Sequence, residues 1–120
     1  MLSKGLAYEQ IAEKYLRTQG LKSITNNYRS KFGEIDLIMG DKNTLVFIEV
    51  RYRARNNYGI AAETVTPHKQ KKIIKTASIF LSHKKLWNMP CRFDVISISQ
   101  KENSLSEQIH WHKAAFDASY

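Results

Sequence analysis

One run narrows most what this chain can fold into: GEIDLIMGDKNTLVFIEVR, Gly33 to Arg51, two alternating segments separated by the turn-forming GDKN. Such lengths and alternation predict an antiparallel hairpin whose strands alternate faces. A four-residue turn over Gly40 to Asn43, without a bulge, sets Met39 opposite Thr44, Asp36 opposite Phe47 and Glu34 opposite Glu49. A bulge would shift that register. Ile35, Leu37, Val46, Ile48 and Val50 then share one continuous apolar face, expected to be the core face against helices. The opposite face collects Glu34, Asp36, Glu49 and Arg51. Carboxylates set this close across a strand pair repel by up to ~1 kcal/mol.

That repulsion has two natural remedies. A hard divalent cation takes carboxylate oxygens as ligands and keeps waters that can become nucleophiles toward a phosphodiester. Alternatively Arg51, with Arg53, neutralises the acids in a surface salt-bridge cluster of the kind common on exposed antiparallel sheets.

The remaining elements follow from spacing. Leu6, Ala7, Ile11, Ala12, Tyr15 and Leu16 recur at helical intervals and Gly20 stands at the C-terminal cap, predicting an amphipathic helix over about 4–18. LKSITNNYRS reads as the first strand. Thr66 followed by Pro67 starts a second helix to about Ser82, because Thr caps and Pro fits the first turn. Ile73, Ile74, Ala77, Phe80 and Leu81 form its apolar face, with Lys69, Lys71, Lys72 and Lys75 largely elsewhere. CRFDVISIS alternates as a fourth strand, and IHWHKAAF adds a short edge strand or a final helical turn.

Composition bounds the partners. The 120 residues make one domain, 1–120, with a single modest core. Nineteen Lys and Arg against eleven Asp and Glu give a net charge of +8, which draws polyanions, nucleic acid first and anionic membrane second. The lone Cys91 excludes an internal disulfide framework and is expected at a half-buried strand position. The N-terminal run lacks the uninterrupted apolar core of a signal peptide and no segment is long enough to span a bilayer, so a cytoplasmic protein without membrane partners is expected. His110 and His112 read as a surface pair, His68 and His83 as helix-face residues, and Trp87 and Trp111 as packing at the sheet edges.

GEIDLI, FIEVRYR, YGIAAETVTPHKQKKI and CRFDVISI together resemble the YraN family of predicted endonucleases, in the PD-(D/E)XK restriction-endonuclease-like superfamily. The resemblance runs from GLAYEQIAEKYL to WHKAAF, in the family's order. It implies an α/β restriction-endonuclease-like core, a mixed central sheet flanked by helices in the order αβββαβ, distantly similar to Holliday junction resolvases. Carried over by position, Asp36 matches the first metal-binding acid, Glu49 the acid of the second motif, Arg51 that motif's third position, and Glu9 the acid of the first helix. Glu34 and Gly33 are expected just behind these, Gly33 to allow an unusual backbone angle or a close phosphate. Lysine is usual where Arg51 stands. Arginine never deprotonates and so cannot act as a general base, but it can hold the scissile phosphate.

RYRARNNYG interleaves Arg51, Arg53 and Arg55 with Tyr52 and Tyr58, a mixture suited to phosphate contacts and to stacking on an unpaired base. Lys69 and Lys72 extend that basic track from the start of the second helix. The expectation is thus a nucleic-acid-binding, metal-dependent endonuclease. It would use Mg²⁺ or Mn²⁺ on Asp36, Glu49 and Glu9 and act on DNA before RNA; resolvase-like enzymes commonly act as symmetric pairs, so the resemblance leaves a homodimer open. The alternative is a non-catalytic nucleic-acid-binding module on the same fold.

Overall fold

The computed structural model describes residues 4–53, 65–100 and 107–118, with all of their side chains except those of Lys4, Arg53 and Gln100. Helix α1 (Lys4–Thr18) is followed by strands β1 (Lys22–Ser30), β2 (Gly33–Asp41) and β3 (Thr44–Arg53), helix α2 (Pro67–Lys84), and strands β4 (Cys91–Gln100) and β5 (Glu107–Phe116). The fold is α/β, with the five strands in one mixed sheet ordered β1-β2-β3-β4-β5. β3 and β4 run parallel, joined through α2, and the other neighbours are antiparallel. The order is therefore αβββαββ, because IHWHKAAF lies within a full ten-residue edge strand and not a short one or a helical turn.

Both helices end by the same device with different residues. After α1, Leu21 N–H reaches Leu16 carbonyl and Gly20 N–H reaches Arg17 carbonyl, with Gly20 at φ 98°. After α2, Leu86 N–H reaches Leu81 carbonyl and Lys85 N–H reaches Ser82 carbonyl, with Lys85 itself at φ 58°. These paired bonds satisfy carbonyls the helix leaves open, and each is closed by leucines meeting across the turn. At the start of α2 the Thr66 hydroxyl accepts the Lys69 N–H at 3.1 Å, with Pro67 in the first turn.

The hairpin register differs from the expected one. Asp41 pairs with Thr44 across a two-residue turn, Lys42 taking φ 57°, and Leu37 faces Ile48. The pairing is displaced by two residues from that expected. An even slip preserves face parity along the paired run, so Leu37 still shares a face with Val46 and Ile48 while the cross-strand partners change.

The expected division into one core face and one acidic face gives way to two cores. Leu37, Met39, Val46, Ile48, Ile96 and Ile98 pack with Ala12, Leu16 and Leu21 on the α1 side. Ile38, Leu45, Phe47 and Phe93 pack with Ile73, Ile74, Ala77 and Phe80 on the α2 side, and Ile35 belongs here and not with Leu37. The central strands are thus covered on both faces, as strands next to a parallel pair with a helical crossover must be. Glu34, Asp36 and Glu49 lie at the end of the hairpin away from its turn.

Two other placements are corrected. Cys91 opens β4 and is exposed, not half-buried. Trp87 is 60% exposed after α2, because Leu86 and Met89 take the inward positions there. Trp111 does pack at the edge: it meets Tyr15 edge-on and donates Nε1–H to the fully buried Asp94 at 2.9 Å. Asp94 also accepts the Ala114 N–H and the Arg92 guanidinium, so its charge is fully partnered.

Candidate metal centre

The site forms where β2 leaves β3. Their ladder ends at Leu37 and Ile48, and beyond it the Asp36 carboxylate accepts the Val50 N–H at 2.8 Å. A side chain thus replaces a backbone partner, which fixes Asp36 between the strands. On the other side, β1 passes through Asn27 at φ 52°, between the pairs Asn26–Leu37 and Tyr28–Ile35. Asparagine is among the residues that best tolerate this left-handed conformation. Across this step Leu37 faces the α1 core while Ile35 and Tyr28 face the α2 core. Asp36 is therefore at the point where the strand pair turns over.

Glu9 reaches this point from α1, where its carboxyl hydrogen-bonds Asn27 and Asp36. Carboxylate oxygens of Glu9, Glu34 and Asp36 lie within 4.8 Å of one another, all three residues half-buried. Glu49, from β3, is only 6% exposed; its Oε1 is 2.7 Å from Lys69 Nζ and 3.9 Å from Arg51 Nε. Glu34 pairs with Arg29 at 3.0 Å.

The electrostatics show how hard this grouping is to sustain. Burial, with the charges of Glu49 and Glu9 added, pushes the Asp36 carboxyl up to about 8, against the opposing pull of the Val50 N–H and Lys69. Burial raises Glu9 as well, aided by Glu34 and Glu49, while its hydrogen bonds to Asn27 and Asp36 pull it down. Glu9 Oε1 is buried without a hydrogen-bond partner. An all-carboxylate donor set with an orphaned buried oxygen suits a hard divalent cation such as Mg²⁺ or Mn²⁺, and lacks the imidazole or thiolate that favours zinc.

Glu9 and Asp36 each contribute an oxygen to one cluster, whereas Glu49 lies outside that group, close enough for its charge to raise both of them. Glu34 differs from its expected place behind the others, since it contributes an oxygen to the cluster itself. Gly33 lines a cavity of about 300 Å³ with Glu34, His68, Lys69, Lys72 and Ile73, at the edge of the acids. Lys69 belongs to the site, because α2 delivers its ammonium onto Glu49, while Lys72 lies one turn outward in the cavity wall. Arg51 approaches Glu49 more loosely than Lys69 does. Arg53 ends β3, with its side chain outside the described residues, as Arg55 and Tyr58 are wholly. Tyr52 is not offered to a base: its ring stacks on Tyr8 at 4.3 Å. Asn27 is marked in the sequence only weakly, as half of an Asn pair inside a strand, where Asn is disfavoured.

His110 and His112 lie side by side on β5, their ring centroids 6.4 Å apart. Among the described residues, the only group of three potential ligands close enough to hold a metal is Glu9, Glu34 and Asp36.

Comparison with known proteins places these residues in a family. Residues 8–98 match uncharacterised protein family UPF0102, which is the YraN family. A UPF0102 protein of Hahella chejuensis is 51% identical over 83% of this chain and 81% of its own length. One of Coxiella burnetii is 46% identical over 97% of this chain and 93% of its own, and one of Pseudomonas syringae 44% identical over 95% and 93%. The chain belongs to this family.

Proposed function

We propose that this UPF0102 protein is a metal-dependent endonuclease of restriction-endonuclease-like fold, hydrolysing phosphodiester bonds in nucleic acid, DNA before RNA. The observation that carries the reading is the convergence of Glu9, Glu34 and Asp36 oxygens within 4.8 Å, beside a buried Glu49, in a chain of net charge +8. Isolated acids avoid such company; acids that share a cation need it.

Asp36, held by the Val50 N–H, and Glu9, with its unpartnered oxygen, are the primary ligands, with Glu49 and Glu34 flanking them. When bound, the ion supplies Lewis acidity and neutralises charge on a phosphodiester. Lys69 does what the missing motif lysine would. Its ammonium is 2.7 Å from Glu49, opens on the cavity and, unlike Arg51, is able to give and recover a proton. Arg51, its Nε 3.9 Å from the same Glu49 oxygen, adds charge against the phosphate.

The competing reading, a nucleic-acid-binding module without chemistry, draws on the same pair: Lys69 and Arg51 neutralise Glu49, and Arg29 neutralises Glu34, without any ion. Nicking assays on branched, single-stranded and duplex substrates with Mn²⁺ separate the two. Glu49→Gln, Asp36→Asn and Lys69→Met are expected to lose cleavage by at least tenfold while nucleic-acid binding persists. A parent that cuts none of the substrates, or a Glu49→Gln variant as fast as the parent, leaves the binding module standing.

A further inference from the structure

The β1–β2 turn carries a feature that the metal centre does not use. Phe32 is 37% exposed at its tip, with Lys31 Nζ at 5.3 Å and Lys75 Nζ at 5.1 Å from the ring centroid. The turn is fastened down. Phe32 N–H donates to Ser30 Oγ at 3.0 Å, and that hydroxyl meets the hydroxyl of the fully buried Thr76 of α2 at 2.8 Å. The aromatic ring is therefore held out on a rigid support, at an exposure that apolar packing would not select.

A second cavity, of about 310 Å³, is lined by Phe32 together with Lys31, His68, Lys71, Lys72 and Lys75. His68 and Lys72 also line the cavity beside Glu34, so the two are contiguous. Phe32 precedes Glu34 by two residues, at most about 7 Å of chain. A strand leaving the acid cluster thus meets, within one or two nucleotides, an aromatic face ringed by ammonium groups. Stacking on an aromatic face is sequence-tolerant, and lysines suit the flanking phosphates. A stacked base takes the ring face, and its phosphates draw the two lysines outward. Bases inside a duplex keep their faces against their stacked neighbours and cannot use the ring.

We propose that Phe32, with Lys31, Lys71 and Lys75, forms a stacking subsite for an unpaired nucleotide next to the cleavage position. The protein then prefers single-stranded, frayed or branched nucleic acid over continuous duplex. This rests on the endonuclease reading for its neighbour, the metal centre, but binding does not require cleavage. An acidic peptide is the less suitable occupant, since one end of the track is bounded by carboxylates and the aromatic ring would have nothing to stack on.

The test measures affinity in EDTA, where no cleavage occurs, for a single-stranded oligonucleotide and for a blunt duplex of the same length. Phe32→Ala is expected to weaken single-strand binding about 5- to 160-fold, the range of one lost stacked base, with duplex binding changed less than about twofold. Phe32→Trp is expected to restore it. Lys75→Ala should weaken both and shallow the single-strand salt dependence by about 0.7 in slope. The proposal is overturned by single-strand affinity unaffected in Phe32→Ala, by an equal loss on duplex, by competition from polyglutamate as strong as from the oligonucleotide, or by absence of nucleic-acid binding. Cleavage scored separately with Mn²⁺ keeps the readings apart: a Phe32-dependent preference in a protein that cuts nothing removes the nuclease and keeps the subsite.

Discussion

Asp36 shows how far a single residue can be read. Its motif, GEIDLI, and the acid of FIEVR marked the two carboxylates of the hairpin, since acids on a strand that should be apolar stand out against alternation. Their partners were not legible. Lys69 lies twenty residues beyond Glu49, and only the packing of α2 on the sheet brings its ammonium to 2.7 Å from that acid. Asn27 likewise acts through a backbone angle that composition does not announce. A consequence for stability follows from Asp36 alone. Its carboxyl is raised from an ordinary 3.8 to about 8 in the fold, chiefly by burial. A raised carboxyl contributes fully below its unfolded value and loses that contribution as pH climbs through the folded one. Without divalent metal the parent should therefore lose stability between about pH 4 and 8. Asp36→Asn can still accept the Val50 N–H but carries no charge, so at pH 8 it should be more stable than the parent by on the order of a few kcal/mol. Urea melts in EDTA at pH 5 and pH 8 check this; a variant no more stable than the parent at pH 8 contradicts it.

The elements were the most legible level, because caps and periodicity are local. Both helices and the first four strands lie where spacing placed them, whereas the hairpin register depended on turn length, which GDKN leaves open between two and four residues. β5 was harder still: its side chains alternate poorly because it is an edge strand with Ala114 at φ 50° and a register shift opposite Phe93 and Val95. The start of α2 matters beyond its own stability. Thr66 caps Lys69 N–H, the backbone of the residue whose ammonium meets Glu49. Thr66→Ala should cost about 1 kcal/mol, seen as a fall in Tm of roughly 3–5 °C. By loosening the first turn it should also lower cleavage severalfold while affinity for nucleic acid holds. Thr66→Ser, which keeps the cap, should restore both, and a variant with lowered Tm but full activity would show that Lys69 needs no help from the helix end.

At the scale of the whole molecule, the site is assembled from opposite sides of one sheet: α1 brings Glu9 from one face, α2 brings Lys69 from the other, and the parting of β2 and β3 lets Asp36 lie between them. None of these contacts exists in an unfolded chain, so an ion that binds the acids binds only the assembled fold and stabilises all of it by mass action. With Mn²⁺ at about a hundred times its dissociation constant the gain should be about 2.7 kcal/mol, several degrees in Tm. Glu9→Gln and Asp36→Asn should each abolish the shift. Glu13, one turn further along α1, is the control: it accepts from Ser23 Oγ at 2.6 Å and Asn26 Nδ2 at 3.2 Å, contacts that hold the helix to β1 without entering the acid cluster. Glu13→Gln should lower Tm modestly and keep the Mn²⁺ shift intact. An equal shift in the parent and in Asp36→Asn would mean that the ion sits elsewhere. The crowding of Glu9, Glu34 and Asp36 would then be a cost the fold bears without a cation, held in check by the Val50 N–H, Lys69, Asn27 and Arg29.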